Sequence, residues 1–217
     1  MMTKIYENSK MYPEYKKIRK GIYLPEQNIS KKILVRISFI ALFAALTAGG
    51  TFFVIPVGSV PIVLQNMFAV LSGLILGPVM GAAAVGIFLL AGILGFPVFS
   101  GGTGGIAVLA GPTGGYLAGY FLAAVLAGLI AGKPEYKTSL PRLIIAAAAG
   151  FIVIYIPGLI WLKGVDWGWL RNTRDLSWPQ TFAGGLFPFI PGDILKAIAA
   201  VAITPRLRRL AADFFNG

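Results

Sequence analysis

The chain alternates long apolar stretches with short polar or glycine-rich segments. A transmembrane helix needs about 20 mostly apolar residues, and several stretches reach or approach that length. In chain order, the pattern predicts spans over residues 33–50, 61–76, 78–94, 113–131 and 141–162, with a last apolar stretch from 182 to 203. The sequence therefore predicts an all-α integral membrane protein, built as a bundle of six transmembrane helices.

Two breaks in the apolar pattern are informative. Gly77-Pro78 separates the second span from the third, because proline interrupts a helix. The last stretch is interrupted by Pro188 and by Pro191-Gly192, which predicts a re-entrant or unwound approach followed by a helix from about Gly192 to Arg206. Irregular backbone at membrane depth is tolerated only where protein or a cavity covers it, so this interruption indicates a binding site.

The composition agrees with a membrane protein and excludes several kinds of side-chain chemistry. Hydrophobic residues make up 57% of the chain and charged residues 12%, against roughly 25% charged residues in soluble domains. The chain has no cysteine and no histidine, which excludes disulfides and thiolate chemistry and removes the commonest metal ligand and general base. We therefore expect no metal site, no cofactor and no catalytic residue.

The charge distribution predicts topology. A formal net charge of +11 would suggest nucleic-acid binding in a soluble protein, but here the charges lie at the chain ends and in two loops, so nucleic acid is not an expected partner. Nine Lys and Arg residues precede or begin the first span, and others lie in the fourth–fifth loop and at the C-terminus. Cytoplasmic segments are rich in Lys and Arg, so both termini are expected in the cytoplasm.

This organisation predicts three regions. Residues 1–32 form a basic cytoplasmic tail, in which 12–24 is compatible with a short amphipathic helix on the membrane surface. Residues 33–207 form the six-helix domain, and 208–217 form a cytoplasmic C-terminal tail. The expected location is the plasma membrane, crossed several times.

Asp193 and Lys196 are the only charges within the predicted spans away from the helix ends. At i and i+3 they share one helix face. They are interpreted either as an ion pair that neutralises itself inside the bundle or as a ligand-binding pair. Ionisable residues are costly inside a membrane, so the functional interpretation is favoured.

A glycine-rich, uncharged loop over residues 95–112 is expected on the outer side. It is either a flexible loop or a lid over an outward-facing pocket, with Thr103 and Gly104 as candidate contacts; we favour the lid. A phosphate-binding loop would need Gly-Lys-Ser/Thr after the glycines, and the stretch has no lysine.

Gln65 and Tyr116 lie near the outer ends of the second and fourth spans. Gln65 and its neighbour Asn66 are each either a helix–helix hydrogen-bonding group or a pocket group, and Tyr116 alone would be an ordinary interfacial aromatic.

The segments VPIVLQ, LGFPVFSGGTGG, LAGPTGGY and GLFPFIPGDILKA resemble the BioY family, the biotin-binding S components of energy-coupling factor (ECF) transporters. The resemblance covers about residues 33–207. It implies outer loops over a biotin pocket and places Asp193 and Lys196 in that pocket. It also implies that Ala41 and Ala45 contact the membrane-embedded coupling subunit, although an Ala-xxx-Ala pattern by itself indicates only tight packing.

The function expected from these observations is capture of biotin and its transport inward, with Asp193, Lys196, Tyr116, Thr103, Gly104 and Gln65 in the binding site. The chain has no Gly-x-x-x-x-Gly-Lys-Ser/Thr motif, so energy would come from partners, a coupling subunit and two ATP-binding subunits. The alternatives are an S component for another vitamin such as riboflavin or thiamine, a biotin facilitator that works alone, an intramembrane enzyme, and a structural membrane protein.

Overall fold

A computed structural model describes residues 25–55, 62–135, 138–164 and 176–216. The predicted surface helix at 12–24 lies outside these residues. In chain order the helices are α1 (Pro25–Gly49), α2 (Gln65–Ile93), α3 (Ile106–Leu109), α4 (Gly114–Ala131), α5 (Leu140–Gly164), α6 (Trp178–Gly185) and α7 (Ile190–Asn216). A 3-10 turn, Gly50–Phe52, follows α1, and β1 (Val54–Ile55) pairs antiparallel with β2 (Ile62–Val63).

Four helical segments are long and apolar enough to cross a membrane: Lys31–Phe52, Gln65–Ile93, Gly114–Ala131 and Leu140–Gly164. A fifth candidate is the pair α6 and α7, which meet at a bend of 48°. The chain is therefore all-helical with four to five candidate spans among the described residues. The predicted interruption at Pro188 corresponds to the turn between α6 and α7, whereas Pro191 and Gly192, predicted as part of the same interruption, lie within the first turn of α7.

Helix α2 covers both the second and the third predicted span, and it is sharply broken in the middle. Gly77 has a φ of 81°, which is not helical, and Pro78 follows it. The hydroxyl of Ser72 lies 3.2 Å from the carbonyl oxygen of Gly81, although nine residues of straight helix would separate them by about 13.5 Å. The two halves of α2 therefore fold back on each other at this glycine.

Helix α2 begins at Gln65 rather than at the predicted Pro61. The two residues of β2, Ile62 and Val63, are β-branched and pair with β1, which keeps this segment extended. The strand pair places the start of α2 beside α7, because the carbonyl of Val63 accepts a hydrogen bond from Lys196.

Helices α2, α4 and α5 pack closely through small residues. A Cβ on Gly73 would lie 2.2 Å from the carbonyl oxygen of Ala124, so the backbones of α2 and α4 approach at a distance that only glycine permits. Ala124 and Ala127 on α4 and Ala147 on α5 are fully buried. This three-helix core holds one wall of the site described below.

The C-terminal segment 208–216, assigned above to a tail, continues α7 to Asn216. Arg208 is only 1% exposed and donates to the backbone carbonyls of Leu74, Ala131, Gly132 and Lys133 and to the hydroxyl of Thr138. The last carbonyls of a helix have no partner within it. Arg208 supplies those partners at the end of α4 and near the break in α2, and so ties α7 to both.

Candidate functional site

A buried ion pair forms at the start of α7. Asp193 lies in the first turn of this helix, where the backbone dipole favours a negative charge. Its Oδ1 atom is 3.0 Å from the Nζ atom of Lys196, and both residues are only 7% exposed. The structure therefore places the two predicted charges together and shields them from solvent.

The ammonium of Lys196 is fully satisfied by protein groups. Its Nζ atom donates to the carbonyl of Val63 at 2.8 Å, to Oδ1 of Asn66 at 3.0 Å and to Oδ1 of Asp193 at 3.0 Å. A lysine ammonium has three hydrogens, so each has an acceptor. A ligand that binds Lys196 directly must therefore displace one of these bonds.

The carboxylate of Asp193 is held from three sides. Its Oδ1 atom accepts from Nδ2 of Asn66 at 2.9 Å as well as from Lys196, and its Oδ2 atom accepts from the hydroxyl of Tyr155 at 2.5 Å. This network joins α7 to α2 through Asn66 and to α5 through Tyr155. Buried charges are tolerated when their remaining lone pairs and protons are satisfied in this way.

A cavity adjoins this network, and the space within it, its mouth included, is about 540 Å³. Small-molecule sites combine apolar and aromatic walls with a few polar groups. Its lining residues are Val63, Gln65, Asn66, Phe99, Ser100, Thr113, Tyr116, Leu117, Tyr120, Ile154, Tyr155, Phe189 and Lys196. The lining of the cavity thus has the chemistry of a site for a small, partly apolar ligand.

Asp193 stands behind this cavity rather than on its surface. Lys196 lines the cavity, whereas Asp193 lines an apolar groove between α5, α6 and α7 on the other side. Tyr155 lines both spaces. The hydrogen bond between Tyr155 and Asp193 therefore forms part of the wall between the cavity and the groove.

Comparison with known proteins decides the family. The model of the BioY family matches residues 25–213, most of the chain. The chain belongs to the BioY family. With its apolar spans, family membership establishes it as a multi-pass protein of the cell membrane.

Comparison with individual BioY relatives supports the assignment to this family. The chain is 41% identical over 172 residues to a probable biotin transporter BioY of Pyrococcus horikoshii, covering 79% of this chain and 95% of that protein. It is 36% identical over 172 residues to the biotin transporter BioY of Thermotoga maritima, with the same coverage of both chains. These relatives are named as transporters, and the family is not enzymatic.

A solved structure supports the same assignment. The crystal structure of the S-component for biotin from an ECF-type ABC transporter superposes with a TM-score of 0.67 at 32% identity, covering 86% of this chain and 94% of that one. The BioY fold is therefore shared over nearly all of that S-component.

Two further residues that the sequence suggested line the cavity of this BioY family member. Gln65, the first residue of α2, is buried and donates through Nε2 to the carbonyl of Val98 at 2.6 Å. Tyr116 on α4 donates through its hydroxyl to the carbonyl of Gly185 at 2.8 Å. Both also anchor neighbouring segments, Gln65 the glycine-rich loop and Tyr116 the end of α6.

Thr103 and Gly104 are not among the cavity-lining residues. Thr103 is exposed, its hydroxyl donates to the carbonyl of Ser100 at 3.0 Å, and its own carbonyl accepts from the Phe99 amide. A Cβ on Gly104 would lie 2.3 Å from the carbonyl oxygen of Phe96. The loop contributes Phe99 and Ser100 to the cavity, while Thr103 and Gly104 shape the turn that holds Phe99 in place.

Phe99 fixes the glycine-rich loop against the bundle. Its side chain is fully buried, its ring packs edge-on against Phe88 with centroids 5.5 Å apart, and its carbonyl accepts from the hydroxyl of Thr51. A Cβ on Gly92 would fall 2.0 Å from the Phe99 ring, so the absence of a side chain at Gly92 makes room for it. This part of the loop is anchored over the cavity.

Ala41 and Ala45 on α1 are exposed, whereas Ala44 between them is buried. None of the three lines the cavity. Within the part of the chain that the structure describes, the Ala-xxx-Ala face is therefore exposed.

Sequence reasoning missed Tyr120 and Tyr155. Tyr120 lies four residues after Tyr116, so the helical period signals that both face the same side. No comparable local signal exists for Tyr155, because its role depends on how α5 packs beside α7. Among the described residues, no three His, Cys, Asp or Glu side chains come together as metal ligands would.

Proposed function

We propose that this chain captures biotin in the cavity beside Lys196 and carries it inward as the S component of an ECF transporter. The observation that carries the proposal is the buried network of Asp193, Lys196 and Asn66 beside an aromatic cavity, in a chain that superposes on a biotin S-component. Its relatives are named biotin transporters.

The chemistry of the cavity suits biotin. Biotin combines a ureido group, with two N–H donors and an acceptor oxygen, with an apolar thioether ring and a carboxylate tail. Phe99, Ile154 and Phe189 provide apolar surface for the ring and chain. Gln65, Asn66 and Lys196 provide polar groups that orient the ends of the molecule.

Six membrane spans follow if the two halves of α2 count separately and α6 with α7 count as one. The break at Gly77 and the contact between Ser72 and Gly81 support this count. The Lys and Arg distribution supports placing both termini in the cytoplasm. The cavity would then open toward the outside beneath the glycine-rich loop.

Energy would be supplied by other subunits. The sequence has no phosphate-binding Gly-x-x-x-x-Gly-Lys-Ser/Thr motif. A coupling membrane protein and two ATP-binding subunits are therefore proposed as partners, with the exposed face of Ala41 and Ala45 as the docking surface on this chain.

Uptake into proteoliposomes tests this function. The chain alone, and the chain with coupling and ATP-binding subunits, are reconstituted and supplied with labelled biotin. We expect ATP-dependent accumulation only in the complete complex. Equal, ATP-independent uptake by the chain alone would instead identify a biotin facilitator that works without partners.

A further inference from the structure

Three tyrosines line the cavity, and they differ in how their hydroxyls are satisfied. The hydroxyl of Tyr116 donates to the carbonyl of Gly185 at 2.8 Å, and that of Tyr155 donates to Oδ2 of Asp193 at 2.5 Å. The hydroxyl of Tyr120 makes no hydrogen bond to any residue in the part of the chain that the structure describes, although Tyr120 is only 7% exposed. Tyr120 therefore offers an unused polar group inside the cavity.

An unsatisfied buried hydroxyl is an unusual feature. Burial removes it from water without compensation, so most buried polar side chains have a partner. Phenylalanine would fill nearly the same space on α4 without this cost. The phenol is explained if a partner comes from outside the protein chain.

We propose that the Tyr120 hydroxyl binds the transported ligand directly, by donating a hydrogen bond to one of its oxygen atoms. This inference rests on the proposed function, in which the ligand is biotin. Biotin has two kinds of acceptor oxygen, in the ureido carbonyl and in the carboxylate. A ligand that lacks an oxygen at this place leaves the hydroxyl unpaired, so Tyr120 is a specificity-determining residue.

The neighbouring donors support this role. All three hydrogens of the Lys196 ammonium are used by Val63, Asn66 and Asp193. The hydroxyls of Tyr116 and Tyr155 are likewise used within the protein. Among these four donor side chains, Tyr120 alone binds a ligand oxygen without breaking a hydrogen bond seen in the described structure.

The variant Tyr120→Phe tests the inference, with Tyr116→Phe as the matched control from the same helix. Two quantities are measured on the purified full-length protein: the calorimetric Kd for biotin and the melting temperature without biotin. We expect Tyr120→Phe to weaken biotin binding about tenfold or more while the ligand-free melting temperature stays unchanged or rises. Tyr116→Phe should lower the ligand-free melting temperature, because it leaves the Gly185 carbonyl without its partner.

Two results would overturn the inference. One is wild-type affinity for biotin in Tyr120→Phe. The other is a loss of ligand-free stability as large as in Tyr116→Phe, which would show that the hydroxyl serves a bond within the protein. If the wild-type chain does not bind biotin, the proposed function fails and this inference fails with it; if it binds and Tyr120→Phe binds equally well, only this inference fails.

A ligand analogue identifies the oxygen. The analogue carries a methyl group in place of the carboxylate, so it has no acceptor oxygen at that end. An equal affinity loss for biotin and this analogue in Tyr120→Phe supports the inference with the ureido oxygen as acceptor. A loss seen with biotin and absent with the analogue supports it with the carboxylate as acceptor.

Discussion

Asp193 and Lys196 lie one turn apart on α7, and the 3.0 Å contact between them is shared with Asn66 of α2, which bonds to both. Because Asn66 donates to the carboxylate and accepts from the ammonium, it locks the pair into a single arrangement. The network links the start of α2 to the start of α7. Any change in one charge therefore alters both the cavity and the packing of these helices.

Removal of either charge should weaken ligand binding. Asp193→Asn keeps the shape of the side chain but leaves the Lys196 ammonium buried without its counter-charge, and breaking a buried pair in this way costs about 3–5 kcal/mol. We expect biotin affinity to fall at least about tenfold, which corresponds to only about 1.4 kcal/mol, in Asp193→Asn and in Lys196→Met. Equilibrium binding of labelled biotin measures both.

The double variant Asp193→Leu with Lys196→Met is the control for stability. It removes both charges, so it should recover much of the melting temperature lost by Asp193→Asn, yet it should not recover binding. Wild-type affinity in both single variants would show that the pair is only structural.

The hydrogen bonds of Arg208 should stabilise the fold by a measurable amount. Arg208→Gln removes a guanidinium that serves four backbone carbonyls and Thr138, and unsatisfied buried groups cost about 1–3 kcal/mol each. We expect a clear drop in melting temperature in detergent. Arg209 is an exposed neighbour, so Arg209→Gln should change the melting temperature little. Equal effects of the two variants would show that the buried hydrogen bonds of Arg208 do not add to stability.

Membrane orientation is testable with single cysteines, because the chain has none of its own. A cysteine at Ser139, which is exposed, should react with an impermeant maleimide only after the membrane is opened. One at Asn172 should react in intact cells. Thr138 is left unchanged because it accepts from Arg208. The reverse labelling pattern would contradict the orientation derived from Lys and Arg.

Capture and energy coupling should be separable by mutation. Replacing both Ala41 and Ala45 with Trp adds bulk on an exposed face of α1, which lipid accommodates in the isolated chain. Biotin binding should survive, whereas ATP-driven uptake with the partner subunits should be lost, because close helix approach needs small residues.

Two single variants control for the effect of bulk. Ile145→Trp, on an exposed face of α5, should transport normally. Ala44→Trp, at a buried position, should reduce folding. Normal transport by the Ala41/Ala45 double variant would exclude this face as the docking surface, and loss of its biotin binding would show that the face packs internally.

The sequence predicted the features that depend on local pattern. Apolar runs located the long helices, Gly77-Pro78 located the break in α2, and Pro188 located the turn before α7, but Pro191 and Gly192 lie inside α7 because proline is tolerated in the first turn of a helix. The charges of Asp193 and Lys196 were conspicuous because an apolar stretch surrounds them. Their burial and contact in the structure agree with what the membrane requires of charges within it.

Features that depend on packing between helices were not predictable in the same way. Arg208 looked like one more charge in a basic tail, because nothing local reveals that helix-end carbonyls from α2 and α4 surround it. The sequence of the glycine-rich loop does not distinguish Thr103 and Gly104 from Phe99 and Ser100 as cavity residues, and it is Phe99 and Ser100 that line the cavity. Tyr155 reaches Asp193 only because α5 packs beside α7.

The most direct test of the account is calorimetric titration of the detergent-purified chain with biotin, followed by the same titration with riboflavin and with thiamine. We predict saturable binding of one biotin per chain, and no binding of the other two vitamins. Riboflavin or thiamine binding in place of biotin would contradict the assignment of the ligand, and the absence of binding of all three by folded protein would contradict the site itself.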